Sequence, residues 1–246
     1  MWGTVISVDV RDPVDPAAID ACFTWFARVD DLFSTWKPNT EIMRLGRDEL
    51  RLEDASPEVR EVLARCDEMR GETDGAFDIG FGVRVPGAPR LDPSGLVKGW
   101  AVARAGHLLV GAGARCFFIN AGGDVLTRGR PEGTEGWRVG IQHPWERNRV
   151  AAVLRVEDAA VATSGLYERG EHVIDPRTGE PARELASVTV VGPDLTVADA
   201  YATATVVLGT SDGMRWLSTR AGYEGMAITE GRSVVLTPGF DRFRVS

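Results

Sequence analysis

The hydrophobic period of this chain changes once, and that change limits the folds open to it. Up to Gly113, apolar residues recur at helical spacing. Ile19, Cys22, Phe23, Phe26, Val29, Leu32 and Phe33 form one stripe, and Val59, Val62, Leu63, Cys66 and Met69 form a second. Asp15-Pro16 and Ser56-Pro57 each place a capping side chain before a proline at the first helical position, so both stripes have defined starts. A third helix begins near Leu96, with Trp100, Ala103 and Leu108 on one side, and ends in Gly111 and Gly113. Between the second and third helices, residues 71–95 are rich in Gly and Pro and read as loop. From Cys116 to Val191 a period of two takes over. It predicts strands at 116–120, 136–142, 150–156, 159–163, 172–174 and 186–191, beyond an opening strand over 3–10. Thr196 begins a fourth helix, a fifth runs over roughly 211–221, and strands close the chain. Helical pairs with runs of strands predict an α+β fold, mixed sheets with helices packed on them. No fixed repeat and no linker divides the chain, so residues 1–246 read as a single domain.

Charge and cysteine usage narrow the function. There are 28 Lys+Arg against 36 Asp+Glu, a formal net charge of -8, which disfavours a broad electrostatic grip on nucleic acid or anionic lipid. Lys37 and Lys98 are the two lysines of the chain; all its other cationic side chains, histidines aside, are arginines. An anionic ligand therefore calls for a local site. Cys22, Cys66 and Cys116 lie far apart among apolar neighbours with no metal-ligand spacing, and read as buried reduced thiols. No segment has the roughly 20 apolar residues of a membrane span. Met1 to Val10 lacks the basic and apolar regions of a signal peptide, so the expected location is cytoplasmic, with no membrane insertion.

Six motifs could carry chemistry. In Thr196-Val-Ala-Asp199-Ala-Tyr-Ala-Thr203, Asp199 and Thr203 are four apart on a helix and share a face. Their carboxylate and hydroxyl are hard oxygen ligands suited to Mg²⁺, while Thr196 to Asp199 also reads as a capping box. Phe118-Ile-Asn120-Ala-Gly122-Gly123-Asp124 ends a strand in two glycines, either a tight hairpin turn or a backbone cradle for phosphate. His172-Val-Ile-Asp175-Pro176-Arg-Thr178-Gly179 offers a histidine for proton relay or phosphate contact, followed by a turn. Lys98, in Gly95-Leu-Val-Lys98-Gly99-Trp100-Ala101, sets a cation near free helix-terminal donors. Thr73-Asp-Gly75-Ala76-Phe77-Asp78 places acids and an aromatic in a glycine loop, and Trp36 stands in a turn where a flat ring could stack.

Taken in order, these segments resemble one family. Gly3-Thr4, Ser34–Glu41, Gly75-Ala-Phe-Asp78, Lys98-Gly-Trp-Ala101, Asn120-Ala-Gly-Gly-Asp124, Ala162-Thr-Ser164-Gly165, His172–Gly179 and Ala198-Asp-Ala-Tyr-Ala-Thr203 are similar to the FAD:protein FMN transferases, or ApbE proteins. The resemblance implies a T-fold-related α+β architecture. It implies an enzyme that binds FAD and Mg²⁺, splits the pyrophosphate, and passes FMN to a Thr or Ser hydroxyl of an acceptor protein. It makes Asp199, Thr203 and the Ala101 carbonyl the metal ligands, and sets His172 near the transferred phosphate as base or stabiliser. It places Trp36, Ala76, Phe77, Asp78 and Lys98 around FAD, with the Gly122-Gly123-Asp124 turn as a further cofactor contact. Three other readings stay open: an FAD pyrophosphatase releasing FMN and AMP, a non-catalytic FAD-binding protein, and an α+β interaction domain whose motifs are all caps and turns.

Overall fold

The computed structural model describes residues 4–83, 87–146, 148–165 and 173–245. Nine strands and five α-helices are assigned among them. The strands are β1 (Ile6–Val10), β2 (Phe117–Ala121), β3 (Asp124–Arg128), β4 (Trp137–Gln142), β5 (Val150–Val156), β6 (Ala160–Gly165), β7 (Leu185–Gly192), β8 (Glu224–Thr229) and β9 (Val234–Leu236). The helices are α1 (Pro16–Phe33), α2 (Glu41–Gly46), α3 (Pro57–Glu72), α4 (Ser94–Gly111) and α5 (Leu195–Ser218).

Seven strands form one sheet in the order β1-β2-β3-β6-β7-β8-β9, every neighbouring pair antiparallel. Strand period explains how it is covered. Ala160, Ala162, Val190 and Ala227 face one hydrophobic cluster, built with α1, α3, α4 and α5. Their neighbours Val161, Val191, Met226 and Ile228 face a second cluster with Trp137, Val139, Leu154 and Phe240. The β4–β5 hairpin and the closing turn at Phe240 thus cover the far face, opposite the helices. β7 is buried at all eight positions because both of its faces are covered.

Most of the expected elements form. Asp15 accepts the Ala17 N–H at 2.9 Å and caps α1, and Ser56 accepts from Val59 N–H and caps α3. Two elements were not expected: the short α2, capped by Thr40, and β3, which pairs with β2 through a two-residue turn. Of the strand expected over 172–174, His172 lies outside the described residues, Val173 is in no strand, and Ile174 makes an isolated bridge with Pro181. Cys22 and Cys66 are buried, whereas Cys116 is half-buried, and all three are free thiols.

Candidate functional site

Helices α4 and α5 approach each other at two glycines. Gly95 and Gly99 lie one turn apart on α4, and a methyl group on either would strike α5: 2.9 Å from Thr203 Oγ1 at position 95, and 2.5 Å from the Leu195 carbonyl oxygen at 99. The close approach lets the Gly99 N–H donate across the interface to Asp199 Oδ2 at 3.0 Å. Asp199 is nearly fully buried. It is not a cap. The cap of α5 is Asp194, whose Oδ1 accepts the Thr196 N–H at 2.7 Å, so the expected Thr196–Asp199 capping box does not form. One turn beyond Asp199, Thr203 Oγ1 lies 3.1 Å from Ser164 Oγ at the end of β6.

Asp199 and Thr203 open onto a cavity of about 520 Å³. Its wall also includes Trp36, Ala76, Phe77, Asp78, Lys98 and Ser164. Seven residues expected at a flavin nucleotide and metal site therefore meet around one space: Trp36, Ala76, Phe77, Asp78, Lys98, Asp199 and Thr203. The loop after α3 enters the cavity because Thr73 holds it from both ends. The Thr73 hydroxyl donates to the Met69 carbonyl at 2.8 Å and accepts the Phe77 N–H at 3.0 Å, with Gly75 at φ +76° between them. Asp78 accepts the Gly80 N–H at 2.8 Å and lies 3.2 Å from Arg70 Nε. Trp36 is 83% exposed and stands at the rim with its ring open to solvent.

Four of the expected site residues, Ala101, Gly122, Gly123 and Asp124, do not line this cavity. Ala101 has no part in the cavity wall: it is fully buried in α4, and its carbonyl accepts the Trp25 indole N–H at 3.0 Å. Gly122 and Gly123 form the hairpin turn between β2 and β3, both at positive φ (61° and 99°). Their N–H groups are engaged within the protein, Gly122 with the Val5 carbonyl at 3.2 Å and Gly123 with Asn120 Oδ1 at 2.9 Å. Asp124 is fully buried behind the wall; its Oδ2 lies 2.9 Å from Lys98 Nζ and its Oδ1 accepts the Thr163 N–H at 3.1 Å. Burial pushes its carboxyl up, and the Lys98 ammonium opposes that shift.

His172 lies outside the described residues, but Val173, the next residue, lines the cavity. Beyond it, Asp175 closes the expected turn: its carbonyl accepts the N–H of Thr178 and Gly179, and its carboxylate takes Arg177 Nε and Nη2 at 2.9 and 2.7 Å. Arg177 holds the Asp175 carboxyl below the usual range. Ser164 is a wall residue to which no role was assigned. The sequence signal for it is a Thr-Ser-Gly run closing a strand; Ser164 still pairs with Val188 of β7, and it lines the cavity.

The donors around Asp199 suit a hard cation. Asp199, Thr203 and Ser164 present oxygen only, as Mg²⁺ requires. Among the described residues no three His, Cys, Asp or Glu side chains cluster. Among the described residues no helix is long and apolar enough to cross a membrane.

The chain is similar to known proteins in sequence and in fold. The sequence pattern of the ApbE family matches residues 2–86 and 83–227. An FAD:protein FMN transferase from Rhodobacter capsulatus is 37% identical over 61% of this chain, a stretch that is 30% of that relative's length. One from Salmonella typhimurium is 28% identical over 88% of this chain and 79% of its own. In three dimensions, the flavin transferase ApbE from Vibrio cholerae superposes with a TM-score of 0.84 at 22% identity, covering 98% of this chain and 96% of that one. A pattern matched along most of the sequence, on an α+β fold shared almost from end to end, carries the assignment: the chain belongs to the ApbE family.

Proposed function

We propose that this protein transfers the FMN half of FAD to a Thr or Ser hydroxyl of an acceptor protein, in the presence of Mg²⁺. One observation carries the reading. Asp199 and Thr203, a helical turn apart, line the same cavity as Lys98 and the loop of Ala76, Phe77 and Asp78. Oxygen ligands, a cation and an apolar wall are what a flavin nucleotide with a pyrophosphate bridge requires. The relatives named above carry the same activity in their names.

The reaction moves one phosphoryl bond. The acceptor oxygen attacks the FMN phosphorus, the bond to the AMP phosphate oxygen breaks, AMP leaves, and the hydroxyl proton passes to a base. Mg²⁺, when bound, would neutralise the pyrophosphate oxygens. Asp199 and Thr203 would hold it, and Lys98 would meet the phosphate charge. The apolar wall at Ala76 and Phe77 would exclude water that competes with the acceptor hydroxyl. Trp36 at the rim would stack on an aromatic ring of the substrate. His172, one residue before the wall residue Val173, would take the proton.

The test combines FAD, Mg²⁺ and the protein with a host proteome, and scans Thr and Ser by mass spectrometry for FMN-sized additions. Additions that depend on the protein and on Mg²⁺ are expected. Release of FMN and AMP without any protein adduct would replace the transferase reading with a pyrophosphatase. Tight FAD binding with no turnover would leave a flavin-binding protein, and absence of FAD binding would overturn the assignment altogether.

A further inference from the structure

We propose that Asp124 is a positioning residue for the transfer reaction, acting through Lys98. This rests on the FAD reading of the cavity. Asp124 opens β3 directly after the Gly122–Gly123 turn, yet its carboxylate points inward and is fully buried. It has two partners from two elements. Oδ1 accepts the Thr163 N–H at 3.1 Å, just past the point where the β3–β6 ladder, paired at Val125↔Val161 and Leu126↔Ala160, runs out. Oδ2 lies 2.9 Å from Lys98 Nζ. Thr163 and Lys98 both line the cavity, and Asp124 does not.

A carboxylate in such a place is unfavourable unless a cation neutralises it. The lysine stem is long and flexible, and without a partner its ammonium would sample many rotamers in solvent. With Asp124 behind it, the ammonium is held at the wall, where only 21% of the Lys98 side chain is exposed. Substrate phosphate then meets a cation already in place, and the ordering of Lys98 is completed on folding. Because Asp124 also holds the backbone of β6 next to Ser164, it keeps the cation and the hydroxyl end of the cavity in one register.

Asp124→Asn tests this, because an amide keeps the oxygen that accepts from Thr163 and removes the charge. FAD binding by titration calorimetry is expected to weaken about tenfold, the equivalent of about 1.4 kcal/mol, with KM rising more than kcat falls. Lys98→Met should cost at least as much, and the double variant no more than Lys98→Met alone. Additive losses would show that Asp124 acts independently of Lys98 and would overturn the proposal.

A second measurement is independent of FAD. Lys98→Met leaves the buried carboxylate without its cation, so its melting temperature should fall, and adding Asp124→Asn should recover part of that fall. Equal melting temperatures for the single and double variants would refute the pairing. A third readout uses the two lysines of the chain. Acylation followed at each by mass spectrometry should accelerate several-fold at Lys98 in Asp124→Asn and stay unchanged at Lys37; an unchanged rate at Lys98 would count against positioning. If the wild-type protein binds no FAD, the function assigned to the cavity fails, while the melting and acylation results still decide the Asp124–Lys98 pairing.

Discussion

Asp199 answers two demands in the proposed reading. Its Oδ2 accepts the Gly99 N–H across the helix interface, and its position on the cavity wall fits the proposed role of cation ligand. Asp199→Ala removes both. The buried N–H of Gly99 loses its acceptor, which costs about 1–3 kcal/mol, and FMN transfer should fall to background at any Mg²⁺ concentration. Asp199→Asn keeps an acceptor for Gly99 and should separate the effects: near-normal melting with no transfer. Wild-type turnover in Asp199→Asn at limiting Mg²⁺ would show that the carboxylate holds no metal. Thr203→Ala deletes the neutral oxygen of the proposed metal site, so it should raise the Mg²⁺ needed for half-maximal rate roughly tenfold, about 1.4 kcal/mol, in a Mg²⁺ titration of AMP release. That both residues share one face of a helix was legible from their four-residue spacing. The burial of Asp124 was not, because its partners Lys98 and Thr163 belong to other elements and no local pattern links them.

Helix α5 shows what element-level reading catches and misses. Two helices were expected, one from Thr196 and one over roughly 211–221. Two helical stretches form within Leu195–Ser218, parted at Gly209, where φ is 82° and ψ is -175°; the second starts a residue or two earlier than expected. The break persists because Glu184, just before β7, supplies what the helix loses: its Oε2 accepts the Thr210 N–H at 2.9 Å. Any side chain at 209 meets both a left-handed backbone and that carboxylate, since a Cβ would fall 2.8 Å from Glu184 Oε2. Gly209→Ala should therefore destabilise the fold by about 1–3 kcal/mol in urea denaturation. Gly95→Ala acts at the other end of the interface. Its methyl would press on Thr203 Oγ1 at 2.9 Å and on Phe77 Cε2 at 3.3 Å. A rise in Mg²⁺ requirement similar to that of Thr203→Ala is expected, with an overpacking cost of about 1–3 kcal/mol. A Gly95→Ala protein with unchanged Mg²⁺ dependence would show that the α4–α5 spacing does not set the site. The short β3 escaped sequence reading because it opens on an acid and spans five residues, too few for a clear alternation.

At the scale of the whole molecule, distant segments are tied by acids that titrate only at low pH. Asp12, in the loop after β1, accepts the N–H groups of Arg115 and Cys116 at the start of β2, both at 2.6 Å. These hydrogen bonds hold its carboxyl below the ordinary 3.8. As pH falls, the unfolded chain takes up this proton first, so the stability Asp12 contributes is complete above its unfolded value and is lost as pH falls through the lower folded one. Asp175, held low by Arg177, behaves in the same sense. Melting temperature should therefore decline on acidification below about pH 4, and the decline should be shallower in Asp12→Asn. An identical acid limb in Asp12→Asn would show that the Asp12 contact adds nothing to folding.

Much of this protein follows from its order of residues alone. Helical stripes, strand runs and capping pairs depend on neighbours a few positions away, and so does the placing of Asp199 and Thr203 one turn apart on α5. The folded packing decided which of these groups meet. It turned the Gly122–Gly123 pair into a hairpin with its donors engaged, drew the Ala101 carbonyl to Trp25, and set Asp124 behind Lys98. The physical reason is one of distance. Periodicity fixes the side of an element on which a side chain lies, but a contact between elements depends on how closely their backbones approach, here set by Gly95 and Gly99, and on which polar groups desolvation forces to find a partner.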